Sequence, residues 1–166
     1  MEEFKQAISD IDPKDIVYID ETGIDKYYCR EHCYAKIGET VIGRVSGRKF
    51  KRKSIVSGLQ DGGTVSPLMY DGTMDSKLFE QWFDTCLIPD TCENAVFVMD
   101  NATFHRKKKL QAICEKYNRK LIFLPPYSPD LNPIEKVWAN IKKKLRGIVD
   151  QFTTIEDAIC FIFKSI

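Results

Sequence analysis

Three acidic residues are the groups in this chain best suited to chemistry. Asp20 follows the apolar run Ile16-Val17-Tyr18-Ile19, and Asp100 follows a second run, Ala95-Val96-Phe97-Val98-Met99. Glu135 stands just inside a helix opened by Asn132-Pro133, with 34 residues between it and Asp100. A carboxylate at the end of a buried strand is costly unless its charge is neutralised, and a divalent cation with hard oxygen ligands neutralises it. Two strand-end aspartates and a helix glutamate suit two-metal phosphoryl transfer, in which cations roughly 4 Å apart serve the attacking and leaving oxygens of one phosphate. Each residue also has a plainer reading. An Asp after a strand is often a turn former or helix cap. Glu135, three residues after Asn132, has the spacing of a capping box. Only the set of three favours metal binding.

The elements that must position these groups are legible in outline. Residues 16–20 form a near-continuous apolar run, expected of a strand covered on both faces. Short β-leaning pieces follow at about 26–29, 33–37, 40–46 and 51–58. Asp61-Gly62-Gly63 reads as a hairpin turn into 64–70, where Pro67 suggests an edge strand. A helix is expected from a Ser76 cap to about residue 88, ended by Pro89. The second half alternates: strand 95–99, helix 106–117, strand 121–124, a rigid Pro-rich connection, then helices at 133–145 and 153–165. This order implies a single α/β domain with a mixed sheet flanked by helices on both faces. If strands 16–20 and 95–99 are parallel neighbours, Asp20 and Asp100 emerge together at their carboxyl ends, where open α/β sheets place ligands.

The 166 residues, 43% hydrophobic and 30% charged, suit one globular domain. No apolar run approaches the roughly 20 residues of a membrane span, and the N-terminus has no secretory pattern. A cytoplasmic protein with six reduced cysteines is therefore expected. Cys29, His32 and Cys33 hint at zinc but lack a second ligand pair at suitable spacing. The net charge of +1 is unevenly spread: residues 1–31 hold nine acids and four bases, whereas the bases beyond them cluster. Arg44, Arg48, Lys49, Lys51, Arg52 and Lys53 form one block, Arg106 to Lys109 a second, and Lys136 to Arg146 a third. An acidic focus amid basic segments suits a metal site that also holds a polyanion, although each block alone reads equally as a solvated face. His105, Arg106 and Tyr127, with the six bases of the first block, are the candidate DNA contacts, although His105 reads more readily as a cap or packing group near the helix start and Tyr127 at least as readily as a packed turn aromatic.

Three segments then take on a common meaning. Tyr18-Ile19-Asp20-Glu21-Thr22-Gly23, Val98-Met99-Asp100-Asn101-Ala102 with His105, and the run from Leu124-Pro125-Pro126-Tyr127-Ser128-Pro129-Asp130 through Leu131-Asn132-Pro133-Ile134-Glu135-Lys136-Val137-Trp138 resemble the catalytic core of DDE transposases. The similarity is to the mariner-like superfamily, in its bacterial insertion-sequence branch. The third segment is very specific; the first two are weak alone. The resemblance, over residues 15–147, implies a ribonuclease H-like fold, with a mixed five-stranded sheet of three antiparallel and two parallel strands. It also implies two Mg2+ or Mn2+ ions on Asp20, Asp100 and Glu135, and cleavage of DNA at transposon ends followed by strand transfer into target DNA. It further implies a homodimer in the active complex, acting at the nucleoid. Such proteins carry an N-terminal helix-turn-helix region that reads the element's ends. No segment here supplies one, so a separate polypeptide is expected to carry it, or the chain is a truncated or silent relic. A relic that only dimerises or binds DNA nonspecifically, and a general ribonuclease H-like nuclease, are the rival readings.

Overall fold

The protein is described here by a computed structural model, which covers residues 2–24, 36–38, 51–126 and 128–165. Five strands, β1 (Ile16–Ile24), β2 (Lys53–Gln60), β3 (Gly63–Tyr70), β4 (Val96–Met99) and β5 (Lys120–Phe123), form one sheet in the order β3-β2-β1-β4-β5. The first three are antiparallel neighbours, and β4 and β5 run parallel to β1. This is the mixed sheet that the alternation of elements predicts. Asp61 and Gly62 both have positive φ (47° and 81°), the succession a tight primed hairpin turn requires. Pro67 lies in β3, the outermost strand, where a missing N–H breaks no inner ladder.

Among the described residues the α-helices are α1 (Glu2–Ser9), α2 (Ser76–Trp82), α3 (Ile88–Asp90), α4 (Lys107–Lys116), α5 (Ile134–Ile148) and α6 (Ile155–Phe163). The period-2 alternation of β1 and β4 divides the core in two. Val17, Ile19, Phe97 and Met99 pack with Phe79, Trp82, Phe83 and Leu110 of the α2 and α4 layer. On the opposite face Ile24 and Ile55 pack with Trp138, Ile141, Leu145 and Ile159 of α5 and α6. A smaller cluster joins Phe4 of α1 to Ile16, Val98 and Leu124; the sequence reading did not anticipate this helix.

Several boundaries differ from expectation for identifiable reasons. β1 does not stop at Asp20 but runs to Ile24, because β2 keeps pairing with it from Asp20↔Ser57 to Ile24↔Lys53. The α2 cap is Asp75, whose carboxylate accepts from the Leu78 N–H at 2.8 Å, while Ser76 turns its hydroxyl to the Phe104 carbonyl. Pro89 does not end that helix. A π-helical turn at Phe83–Leu87 reopens the spiral, so Pro89 falls in the first turn of α3, where its missing N–H costs little. The β-leaning pieces at 26–29 and 40–46 and most of that at 33–37, with Cys29, His32 and Cys33, lie outside the described residues.

Candidate active site

The parallel pairing of β1 with β4 ends at Tyr18↔Val98. Asp20 and Asp100 both stand two residues beyond that couple, so they emerge together where the two strands part. α5 brings Glu135 to the same place from the other side. Asn132, buried just before α5, donates its side-chain amide to the Ile19 carbonyl at 3.4 Å, tying the helix start to β1 beside Asp20. Asp20, Asp100 and Glu135 line one cleft of about 420 Å3, with Leu124 and Pro125 also in its wall.

The three carboxylates are held very differently. One Asp20 oxygen accepts from the Trp138 indole N–H at 3.1 Å. Burial pushes the Asp20 carboxyl up to about 7, and the negative charges of Glu135 and Asp100 push the same way, against hydrogen bonds from the Glu21 backbone and Trp138. Asp100 moves oppositely. The His105 ring, 3.3 Å from its Oδ1, holds it below the usual carboxylate range, against a burial penalty and with help from the Ala102 N–H at 3.0 Å. Glu135 is exposed in the first turn of α5, and its carboxylate has no hydrogen-bond partner among the described residues. No side chain caps this helix, so the capping-box reading of Asn132 and Glu135 is not realised.

Asp20, Asp100 and Glu135 offer only hard oxygen donors, suited to Mg2+ or Mn2+. Asp20 is the telling member, because a carboxylate that resists ionisation beside two others is stabilised by an added cation. Among the described residues, no three His, Cys, Asp or Glu side chains already stand close enough to hold an ion. The carboxylates share a cleft without forming a finished ligand set.

The other expected site residues are spread around this cleft. Arg52 lies across Gly23, three residues beyond Asp20: a Cβ at Gly23 would come within 2.8 Å of its guanidinium. Lys53 is bonded to Asp71 and Glu156, and Lys51 to Asp71. His105 turns inward, as the packing reading favoured for it expects, and not outward as the rival DNA contact would need. Its side chain is 5% exposed, packed against the rings of Phe79 and Phe104 (4.4 and 4.2 Å between centroids) and directed at Asp100. Arg106 makes a two-pronged bond to buried Glu80 at 2.6 and 2.7 Å, which fastens the Asp100 loop to α2. Arg44, Arg48, Lys49 and Tyr127 lie outside the described residues. Sequence reasoning missed two groups: the polar end of Trp138, read only as core, and Glu21. The first carried a signal, an indole N–H one turn after Glu135 on the same helix face.

A family profile described as DDE superfamily endonuclease matches residues 15–158, most of the chain. The chain belongs to this family. It is 31% identical over 99 residues to the transposable element Tcb2 transposase of Caenorhabditis briggsae, covering 57% of this chain and 36% of that protein. To the Tc1 transposase of Caenorhabditis elegans it is 33% identical over 79 residues, covering 45% and 29%. The chain thus spans about a third of the length of these curated relatives. Among solved structures, a Mos1 mariner paired end complex with Mn superposes with a TM-score of 0.69 at 20% identity, over 87% of this chain and 46% of that one. A Mos1 transposase catalytic domain with raltegravir and Mn gives 0.68 at 17% identity, over 98% and 76%. At such identities the likeness is one of fold, and it bears out the ribonuclease H-like architecture. This DDE domain is therefore mariner-like in fold. Among its described residues no helix is long and apolar enough to cross a membrane.

Proposed function

We propose that this chain is the catalytic domain of a transposase that cleaves DNA strands at transposon ends and joins them to target DNA, with Asp20, Asp100 and Glu135 as metal-binding catalytic residues. The observation carrying the proposal is the single cleft those three carboxylates line, in a chain of the DDE family. Two Mg2+ or Mn2+ ions bound there would place positive charge on both sides of a scissile phosphate, favouring water attack and departure of the leaving oxygen. The chain's own residues supply the holding. Trp138 orients one oxygen of Asp20, His105 and the Ala102 N–H orient Asp100, and α5 carries Glu135 on its first turn. Arg52, whose guanidinium lies against Gly23, is the proposed contact for a backbone phosphate.

DNA is the proposed partner, in keeping with the paired-end complexes in which the Mos1 relative was solved. A homodimer and a helix-turn-helix segment outside residues 1–166 complete the proposed active assembly. The decisive experiment is nicking of supercoiled plasmid with Mn2+, comparing wild type with Asp100→Asn. Loss of nicking in a variant that retains its fold supports the assignment, and undiminished nicking refutes it. A second reading, a domain that binds DNA or dimerises without cutting it, is favoured by the absence of a finished ligand set among the described residues. It predicts no Mn2+ binding and no nicking by either protein. Cutting that ignores transposon ends would instead indicate a general nuclease.

A further inference from the structure

Asp20 and Glu21 are adjacent in β1 and so point to opposite faces of the sheet. Asp20 faces α5 and the cleft. Glu21 faces a second, smaller chamber of about 150 Å3 behind it, lined also by Asp100, Phe79, Phe104 and His105. One Glu21 oxygen accepts from the Tyr70 hydroxyl at 2.9 Å. Its other oxygen, Oε1, is buried with no hydrogen-bond partner, and so is Nδ1 of His105. Glu21 and His105 both line this chamber, and each has a buried polar atom without a partner among the described residues, which is costly. A water needs little more than 10–15 Å3 of accessible volume and two or more polar partners, and this chamber offers both.

We infer that Glu21 and Tyr70 are positioning residues for Asp100: a water held between Glu21 Oε1 and His105 Nδ1 completes a hydrogen-bonded chain from Tyr70 through Glu21 and His105 to the Asp100 carboxylate. The inventory of donors balances. The water donates one hydrogen to the Glu21 carboxylate and one to Nδ1, which leaves Nε2 as the protonated ring nitrogen, and Nε2 is the atom facing Asp100 Oδ1. The chain thus selects the tautomer that can donate to Asp100 and fixes the carboxylate's orientation toward the cleft. Partners of this kind, one bond behind a ligand, typically change metal affinity by about 10–100-fold when removed.

This inference rests on the reading of Asp100 as a metal-binding carboxylate, but its first test needs no metal. The chain has two histidines, so long-range proton–nitrogen NMR of the ring nitrogens, assigned with His32→Gln, reports the His105 tautomer in EDTA. Wild type should show a single Nε2–H form, Glu21→Ala a mixture of tautomers, and Glu21→Gln, whose amide oxygen still accepts, the wild-type form. Mn2+ affinity should fall about tenfold in Glu21→Ala and largely recover in Glu21→Gln. Tyr70→Phe, which leaves the chamber's shape intact, should move both readouts in the same direction by less, and it decides the matter if Glu21→Ala fails to fold. An unchanged tautomer in Glu21→Ala and Tyr70→Phe, or Glu21→Gln as damaging as Glu21→Ala, overturns the inference. Wild type that binds Mn2+ no better than Asp100→Asn would sink the catalytic reading instead, leaving the NMR result to judge this one.

Discussion

The rear and the front of the cleft are built on opposite plans. At the rear, Asp20 and Asp100 sit where two central strands part, and each is tethered: Asp20 by a buried indole, Asp100 by a buried imidazole whose loop is locked to α2 through Arg106 and Glu80. At the front, Glu135 is exposed on the first turn of a helix, with no partner for its carboxylate among the described residues. Asp20 therefore carries the electrostatic cost of burying negative charge, whereas Asp100 is exposed and its carboxyl is held low by His105. The front carries a group free to move. A site whose third carboxylate is untethered can complete its ligand set when cations arrive without first breaking a native bond.

That contrast can be broken most severely at Trp138, which is 2% exposed and belongs to both the core and the Asp20 tether. Trp138→Ala should cost about 3–5 kcal/mol in chemical denaturation. Trp138→Phe should cost less yet still weaken Mn2+ binding, because it removes the indole donor and keeps the ring. No loss of metal affinity in Trp138→Phe would detach this residue from the site.

The next effect is one of pH. The folded, metal-free protein keeps a proton on Asp20 up to about pH 7, whereas the unfolded chain releases it near its ordinary value of 3.8. Stability from this group is full below the unfolded value, declines as pH rises towards 7, and is absent above it. Glu21, raised mainly by burial, adds a change of the same sign. Denaturation in EDTA between pH 4.5 and 8 should show this decline, and Asp20→Asn should reduce its slope and be more stable than wild type at pH 8. Added Mg2+ should stabilise wild type most at pH 8. A flat profile would contradict the burial assigned to Asp20.

Arg106→Ala, which leaves the Glu80 carboxylate buried without its fork, should lower the denaturation midpoint, and Arg106→Lys should recover only part of the loss. The smallest effect belongs to the front. Glu135→Gln should change stability by less than about 0.5 kcal/mol while abolishing Mn2+-dependent nicking. A loss near 1 kcal/mol would mean that Glu135 caps α5 after all.

Much of this architecture could be read before any coordinates. Asp20 and Asp100 stood out because the apolar runs before them are continuous, as central strands demand, and the sheet does bring their ends together. The α5 stripe was legible from Ile134, Trp138, Ile141 and Leu145 at helical spacing. Less visible was α1, whose short charged helix is stabilised by Phe4 packing on distant residues rather than by local pattern. The passage of the helix through Pro89 was also hidden, since a π turn is a compromise between neighbouring packing demands and not a propensity.

Alternation and chain order decided which residues are strand-bound, which are helical, and that two acids stand at strand ends and a third in the first turn of a helix, because these depend on near neighbours along the backbone. Which partner each polar group takes was settled only by tertiary packing. Trp138 meets Asp20 across more than a hundred residues, His105 turns inward because Phe79 and Phe104 enclose it, and Asp20 and Glu21 part company because a strand sends consecutive side chains to opposite faces. Hydrogen-bond choice and the cost of ionisation depend on surfaces that meet only once the sheet has formed.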